Sequence, residues 1–304
     1  EYHVIAAGSL LGVALHEGIS YPVGKVDLLD LYPFNFREFL CAMDEEGLEN
    51  ALETKDYNLI DNFADKYLFW LKNYYYTGGM PAVVDAFRLN KDYAEVRQIQ
   101  SDIVRQYEGD FGKHIEAKVL PRIRMVWDSI PMQLAKENKK FFFGQIKKGA
   151  RSSEFEIAIQ WLLDCGLVYK VNRVNEPHMP LKAYKNMNAY KLFVLDVGLL
   201  GAMSELPAES ILEGNDIFVE FKGALTEQYV LQQIISKVPG HSGYFLQGWH
   251  PPVLPSAGPS RPRCKQCLPW PPVRLLLHKN SHIRQYPYLQ LPLCGLTLHG
   301  KYYW

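Results

Sequence analysis

The spacing of apolar residues predicts a helix that begins close to residue 152. Four apolar positions recur at i, i+3, i+4 and i+7, and they are Phe155, Ala158, Ile159 and Leu162. This spacing places one apolar stripe along a helix. Ser153 and Glu156 match the reciprocal capping box that satisfies free amide groups at a helix start, and Gly166 supplies a left-handed stop. We therefore expect a helix of about three turns that ends before Gly166.

A strand, a proline-rich loop and a second strand are predicted to follow this helix. Apolar and polar residues alternate from Leu167 to Asn172, which is the period of a half-buried strand, and Pro177 and Pro180 end the run. A second strand-like run covers residues 190–195. The order helix, strand, loop, strand is the layout of a winged helix, whose wing we expect at residues 175–189.

Most of the chain before this unit has the apolar spacing of helices. Asn35 and Glu38 match a second capping box. A helical stripe follows from residue 57 to the Gly78-Gly79 pair, and its apolar members are Ile60, Phe63, Ala64, Tyr67, Leu68 and Leu71. Pro81 suits the first turn of the next helix, and two further stripes cover residues 96–107 and 119–130. After Leu200, the pattern predicts a strand over residues 215–221 and a helix over residues 223–234.

Three runs of this sequence resemble a bacterial and archaeal family of AAA-type ATPases. They are Trp161-Leu-Leu-Asp-Cys-Gly-Leu-Val-Tyr-Lys-Val, Pro180-Leu-Lys-Ala-Tyr, and Lys191-Leu-Phe-Val-Leu-Asp-Val-Gly-Leu-Leu. In that family a P-loop ATPase core is followed by a helical linker, a winged helix of unknown function and a module that resembles restriction endonucleases. The resemblance covers roughly residues 1 to 235.

The resemblance implies a division of the chain into five parts. Residues 1–45 would be an α/β remnant of the P-loop ATPase core, 46–110 a helical linker, and 111–205 the winged helix. Residues 206–247 would begin a truncated nuclease-like module, and 248–304 form an aberrant, proline-rich tail that we expect to be disordered. Because Glu1 is soon followed by an apolar strand-like run, we expect the chain to start inside a domain.

The resemblance also implies two nucleotide-binding residues. Ser9 corresponds to the polar sensor position beside the γ-phosphate, although a plain strand-to-helix turn fits the same residues. Lys25 follows the last core strand, where it could reach a neighbouring subunit's phosphate or simply be solvated. The full-length family is implied to use ATP and magnesium. This sequence has no GxxxxGK[ST] phosphate loop, so we expect the chain alone neither to bind ATP tightly nor to hydrolyse it. Its expected partner is a missing N-terminal ATPase half.

Charge is unevenly distributed along a formally neutral chain. Residues 251–304 hold seven Lys and Arg and no acid, which leaves 26 basic against 33 acidic residues before them. Lys139, Lys140, Lys147, Lys148 and Arg151 cluster where a winged helix would meet a DNA backbone. Acidic residues on the next helix would repel phosphate. DNA contact by Lys147, Lys148 and Arg151, a protein partner, and a solvated face therefore all remain open.

Several motifs resemble metal or catalytic sites. Asp196 ends an apolar run as a Walker B aspartate would, but it more simply anchors the turn after the wing. Glu220-Phe-Lys222, with Asp196 upstream, matches the acid and Glu-x-Lys set of metal-dependent nucleases. A further set approaches zinc-finger spacing, although three prolines interrupt it: Cys264, Cys267, His278 and His282.

Composition favours a cytoplasmic protein. Five cysteines, one unpaired in any bridging scheme, suit a reducing compartment, and no run of about 18 apolar residues predicts a membrane span. We expect no metal in this chain. A homo-oligomer is a possible assembly.

Overall fold

The computed structural model describes residues 30–112, 115–136, 138, 140–174, 180–214, 216–237 and 244–246. Ser9, Lys25, the zinc-like set and the proline-rich tail lie outside these residues. Of the expected ATPase remnant, only residues 30–45 are described, and that part of the prediction stays a prediction.

Residues 30–112 form six helices. They are α1 (Phe36–Ala42), α2 (Glu46–Thr54), α3 (Tyr57–Asn62), α4 (Ala64–Thr77), α5 (Pro81–Asn90) and α6 (Tyr93–Asp110). The capping box on α1 is confirmed: the Asn35 side chain accepts from the Glu38 amide and the Glu38 side chain accepts from the Asn35 amide. The helix predicted from residue 57 is interrupted at Phe63. Phe63 and Leu68, two members of the predicted apolar stripe, are 45% and 42% exposed and do not lie in the core.

The second half combines helices with a small sheet. Its elements are α7 (Leu120–Ala135), α8 (Phe143–Ile146), α9 (Ser152–Asp164), β1 (Val168–Val174), a 3-10 turn (Leu181–Tyr184), β2 (Lys185–Val194), α10 (Val197–Met203), a π-helical turn (Ser210–Gly214), α11 (Asp216–Lys237) and β3 (Tyr244–Leu246). We call α7, α8, α9, β1 and β2 the helix–hairpin unit. The predicted fold class is therefore confirmed in its coarse form, as a mainly helical chain with a small sheet.

The sheet has the order β2-β1-β3. β1 and β2 are antiparallel, with Val168 opposite Val194 and Val174 opposite Lys185, and an irregularity follows Asn172. β3 runs parallel to β1. Since β2 begins at Lys185, residues 185–189 belong to the strand and not to the predicted wing. The loop is shorter because the irregularity lets the end of β1 pair with the start of β2.

Two local predictions were wrong. Residues 216–221 form the start of α11, not a strand. Among residues 221–236 of α11, whose burial is described, the buried positions follow helical spacing: Phe221, Ala224, Leu225, Gln228, Leu231, Gln232 and Ile235. Packing of that face therefore overrides the strand preference of the apolar run before it. At α9, Arg151 is the N-cap and no side chain caps the helix. Ser153 and Glu156 thus lie inside the helix, where a capping box cannot form.

One hydrophobic core links the helices to the hairpin. It extends from Phe36 in α1 to Ile235 in α11 and includes apolar residues of the helix–hairpin unit. Aromatic rings dominate its centre: Phe39 meets Tyr74 edge-on at 5.2 Å, and Phe111 meets Trp127 at 5.7 Å and Trp161 at 5.5 Å. The parts named from the sequence thus share one buried core within the described chain.

Among the described helices, none is both long and apolar enough to cross a lipid bilayer.

Candidate functional site

A fully buried carboxylate lies where the helices meet the hairpin. Asp196 is 0% exposed and is the N-cap of α10. Its Oδ1 accepts from the backbone amides of Gly198 and Leu199 at 2.9 and 3.1 Å, and its Oδ2 accepts from the Gly79 amide at 2.7 Å. The Gln232 side chain donates to Oδ2 at 2.8 Å. One side chain therefore joins the end of α4, the start of α10 and the C-terminal part of α11.

Glycines allow the chain to approach this carboxylate closely. Gly78 has a φ of +71°, and a Cβ there would lie 2.0 Å from Asp196 Oδ1. A Cβ on Gly79 would lie 2.1 Å from the Phe34 carbonyl oxygen, and one on Gly198 would lie 2.5 Å from the Thr77 carbonyl oxygen. Since real Cβ atoms do not approach so closely, these positions require glycine. The Gly78-Gly79 pair thus ends α4 and also makes room for Asp196.

Glutamines on α11 dock this helix onto backbone groups of other elements. Gln228 forms two hydrogen bonds with Val194, accepting from its amide and donating to its carbonyl oxygen. Gln232 accepts from the Val197 amide at 3.0 Å, and Gln233 accepts from the Phe36 amide at 2.7 Å. These contacts satisfy backbone groups at the end of β2 and at the first turns of α10 and α1, where helical and sheet bonding leaves them free.

Burial controls the protonation of the groups around Asp196. Desolvation raises the pKa of Asp196, although four hydrogen-bond donors oppose that shift. Burial is the main cause that raises the pKa of Tyr74, and the nearby Asp196 charge raises it further. The same two causes raise the pKa of Tyr107 to about 12. Both Asp196 oxygens are engaged by protein donors and neither reaches solvent. The site can hold three elements together, but it cannot offer a carboxylate to a substrate. The prediction that Asp196 anchors the turn after the hairpin is confirmed.

The predicted nucleic-acid residues lie on the surface at the start of α9. Lys147 follows α8, Lys148 comes next, and Arg151 is the N-cap residue of α9; all three are exposed. Lys140 lies on the same approach to α9, with its ammonium 5.6 Å from the Phe142 ring centre. These cations therefore precede α9 on the surface, and Lys139, the remaining member of the predicted cluster, lies outside the described residues.

The outer side of α9 carries acidic, polar and apolar side chains instead of basic ones. Glu154 and Glu156 are exposed, Gln160 is exposed, and Ile157 is 65% exposed between them. No lysine or arginine lies within α9 itself. The helix therefore presents two carboxylates and one aliphatic side chain to solvent, next to the basic residues that precede it.

A shallow cleft of about 350 Å³ separates α9 from the hairpin. Its walls include Glu156, Ile159, Lys170 and Tyr190. The Lys170 ammonium lies 4.1 Å from the Tyr190 ring centre, and burial followed by the nearby Lys185 lowers the Lys170 pKa. Burial and the Glu156 charge raise the Tyr190 pKa to about 12.

The other residues that the sequence suggested as catalytic or metal-binding do not come together in the described part of the structure. Glu220 and Lys222 lie on α11, so they do not form the strand-borne Glu-x-Lys pair of a nuclease beside Asp196. In the part of the chain that the structure describes, no group of three or more His, Cys, Asp or Glu side chains is placed to hold a metal ion. The nucleotide candidates Ser9 and Lys25 are outside that part.

Sequence reasoning missed the buried glutamines and one half-buried arginine. Gln228 and Gln232 are 0% and 3% exposed. Gln100 is also fully buried and donates to the Tyr76 and Thr77 carbonyl oxygens, and Arg97 donates to Gln100 at 2.7 Å. The available signal was that Gln228 and Gln232 occupy core positions of the helical period otherwise filled by apolar residues.

One family model matches the middle part of the chain. It is described as a domain of unknown function (DUF8612), and it matches residues 68–210, which is under half of the chain. The matched stretch runs from α4 through α10 and includes Asp196 and the whole helix–hairpin unit. No curated protein and no solved structure matches the chain.

Proposed function

We propose that this chain is part of an AAA-type ATP-binding protein, and that its described region is a non-catalytic module which binds a protein partner through a winged helix. ATP and magnesium would be bound by the missing ATPase half, because this sequence has no phosphate loop. The observation that carries the binding role is the surface of α9, where Glu154, Glu156 and Ile157 are exposed together.

The order of elements supports the winged-helix interpretation. Three helices, α7, α8 and α9, precede the antiparallel β1–β2 hairpin, which is the order of elements in a winged helix. The Phe141 amide donates to the Tyr190 carbonyl oxygen at 2.7 Å, so the segment before α8 also contacts the hairpin edge. In this layout α9 is the helix that would face a partner.

The charges on α9 favour a protein partner over duplex DNA. Each phosphate contact by a cation adds affinity through counterion release, whereas a carboxylate at the same surface repels the phosphate backbone. Two exposed carboxylates on the helix that would enter the groove therefore oppose DNA binding. The exposed Ile157 beside them offers apolar surface that a protein partner can bury and that a phosphate backbone cannot.

DNA binding is the second candidate, because Lys147, Lys148 and Arg151 are all exposed at the start of α9. Fluorescence anisotropy with a labelled duplex, measured over a salt series, separates the two candidates. For a protein-binding module, we expect only weak binding, with a dissociation constant above about 1 µM at moderate salt. The Glu154→Gln/Glu156→Gln variant should then bind DNA more tightly, because the repulsion is removed.

Submicromolar DNA binding by the unmodified chain would contradict the protein-binding proposal. In that case, replacing Lys147, Lys148 and Arg151 with Ala should reduce the slope of log affinity against log salt by about three units. A matched control replaces three exposed cations away from α9, namely Lys55 directly after α2, Arg88 on α5 and Arg105 on α6, and should leave the slope unchanged.

Isothermal titration with ATP and magnesium tests the ATPase part of the proposal. We expect no saturable heat from this chain alone. Micromolar binding would show that the chain has its own nucleotide site. Sequencing the gene upstream should reveal a phosphate loop if the resemblance is correct, and its absence would contradict the proposed family.

A further inference from the structure

A second cleft, between α6 and the segment that follows α10, has a volume of about 250 Å³. It lies apart from the α9 surface. Arg97 and Ser101 line it from α6, while Glu205, Leu206 and Pro207 line it from the other side. The Tyr76 ring forms a further wall, with the Arg97 guanidinium carbon 4.4 Å from its centre. This open cleft is smaller than a typical drug-sized ligand site, so only a very small ligand would fit it.

Arg97 lies in this cleft without an acidic partner. Its Nη1 donates to Gln100 Oε1 at 2.7 Å, its Nη2 donates to the Leu206 carbonyl oxygen at 2.8 Å, and the Gly198 carbonyl oxygen is 3.5 Å from Nη1. All three acceptors are neutral. No carboxylate among the described residues forms an ion pair with this guanidinium. Arg97 is half-buried, so part of the guanidinium stays accessible from the cleft and can pair with an anionic group from outside the chain.

The surroundings of Arg97 fix its position. Its aromatic stacking and its bonds to two elements orient the guanidinium before any ligand arrives. Ser101 lies four residues further along α6 and therefore on the same face of the helix, where its hydroxyl can add a hydrogen bond. A fixed guanidinium with a hydroxyl beside it matches the geometry that recognises a carboxylate.

Glu205 adds a negative charge at the rim. It is exposed, and its φ of +52° is a left-handed conformation that a non-glycine residue adopts at an energetic cost. Its amide donates to the Ala202 carbonyl oxygen at 3.0 Å, which holds the turn in place. The carboxylate would repel a simple anion but would attract an ammonium group.

We propose that this cleft binds a small zwitterion of the α-amino acid class, with its carboxylate on Arg97 and Ser101, its ammonium near Glu205, and its side chain against Leu206 and Pro207. A ligand in this position bridges α6 and the turn after α10. Binding should therefore stabilise the junction that Asp196 also holds. The proposal does not depend on the partner of α9 or on ATP binding.

Calorimetric titration and thermal unfolding with L-valine test this proposal on the full chain. Isovalerate and isobutylamine are matched probes, since each keeps the branched carbon chain and one of the two charged groups. We expect L-valine to bind saturably below about 10 mM and to raise the melting temperature. Each single-charge probe should bind at least about tenfold more weakly. Equal binding of isovalerate, or no saturation by L-valine, leucine or alanine, would overturn the proposal.

Variants of Glu205, which is exposed, and Ser101, which is half-buried, keep the test independent of folding. Glu205→Gln and Ser101→Ala should each weaken L-valine binding by about tenfold. Glu209→Gln is the control, because Glu209 is also exposed and lies four residues beyond Glu205. If Glu205→Gln and Ser101→Ala fold normally and bind L-valine as tightly as the control, the assignment of these residues is wrong and the proposal fails.

Discussion

The side chains of Asp196 and Gln232 are 36 positions apart in the chain, yet Gln232 Nε2 donates to Asp196 Oδ2 at 2.8 Å with both groups buried. Gln232 also donates to the Tyr74 hydroxyl at 3.0 Å and accepts from the Val197 amide. One amide therefore connects α11 to α10 and α4. Because buried polar groups are costly when unpaired, this contact favours one placement of α11 over others.

Removing the Asp196 carboxylate should strongly destabilise the protein. Asp196→Ala leaves three backbone amides and the Gln232 amide without their acceptor, and we expect a loss of about 3 to 5 kcal/mol in the free energy of unfolding. Urea unfolding followed by circular dichroism measures this loss. Asp61→Ala is the control, because Asp61 is exposed on α3, and it should change stability by less than about 0.5 kcal/mol.

A double-mutant cycle tests whether Asp196 and Gln232 act together. Asp196→Ala and Gln232→Leu should have non-additive effects, with a coupling of about 0.5 to 3 kcal/mol. Strict additivity would mean that the hydrogen bond between Asp196 and Gln232 contributes nothing to the free energy of unfolding.

Adding one methyl group at Gly198 should also destabilise the fold. The new Cβ would lie 2.5 Å from the Thr77 carbonyl oxygen and 2.6 Å from Gln100 Nε2, so Gly198→Ala forces α10 away from α4 and α6. We expect a cost of about 1 to 3 kcal/mol in unfolding experiments. Gly109→Ala in α6 meets nothing within 4 Å and should instead be stabilising by about 0.5 to 1 kcal/mol. A stabilising Gly198→Ala would contradict the close packing described for α10.

Trp161 should be one of the main packing residues of α9. It is 7% exposed and meets the Phe111 ring edge-on at 5.5 Å. Trp161→Ala should cost about 3 to 5 kcal/mol, whereas Ile157→Ala on the exposed side of the same helix should be nearly neutral. Because the Trp161 indole nitrogen has no hydrogen-bond partner in the described structure, Trp161→Phe should cost clearly less than Trp161→Ala. Equal losses for the two Trp161 variants would show that ring packing is not the main contribution.

The protein should lose stability in alkali as its buried tyrosines ionise. Tyr107 has its pKa raised from 10.0 to about 12, first by burial and then by the Asp196 charge. The folded state therefore holds this proton more tightly than the unfolded state does. The stability from Tyr107 is fully present below pH 10 and decreases by up to about 2 to 3 kcal/mol as the pH rises through about 12.

Tyr107→Phe isolates this contribution. Its free energy of unfolding should fall less steeply between pH 10 and 12 than that of the unmodified protein, as measured by urea unfolding at several pH values. Tyr57→Phe is the control, since Tyr57 is 70% exposed, and it should keep the original pH dependence. Identical slopes for all three proteins would show that Tyr107 ionises equally in the folded and unfolded states.

Local sequence signals determined the helices and most of their ends. The Asn35 capping box, the glycine pair that ends α4, Pro81 at the start of α5 and the left-handed Gly166 after α9 all act within a few residues. Such signals can be read without the fold because their hydrogen bonds and steric limits involve neighbouring residues only. The exposed basic residues before α9 were visible for the same reason.

Tertiary structure decided the start of β2, the helical state of residues 216–221 and the hydrogen bonds by which Asp196 connects α4, α10 and α11. β2 begins early because β1 provides pairing partners, and residues 216–221 are helical because the apolar and glutamine face of α11 is buried against other elements. Gly79, Asp196 and Gln232 are distant in sequence, and no local period relates them. Their association follows from packing, which requires each buried polar group to find its partner wherever the chain brings one.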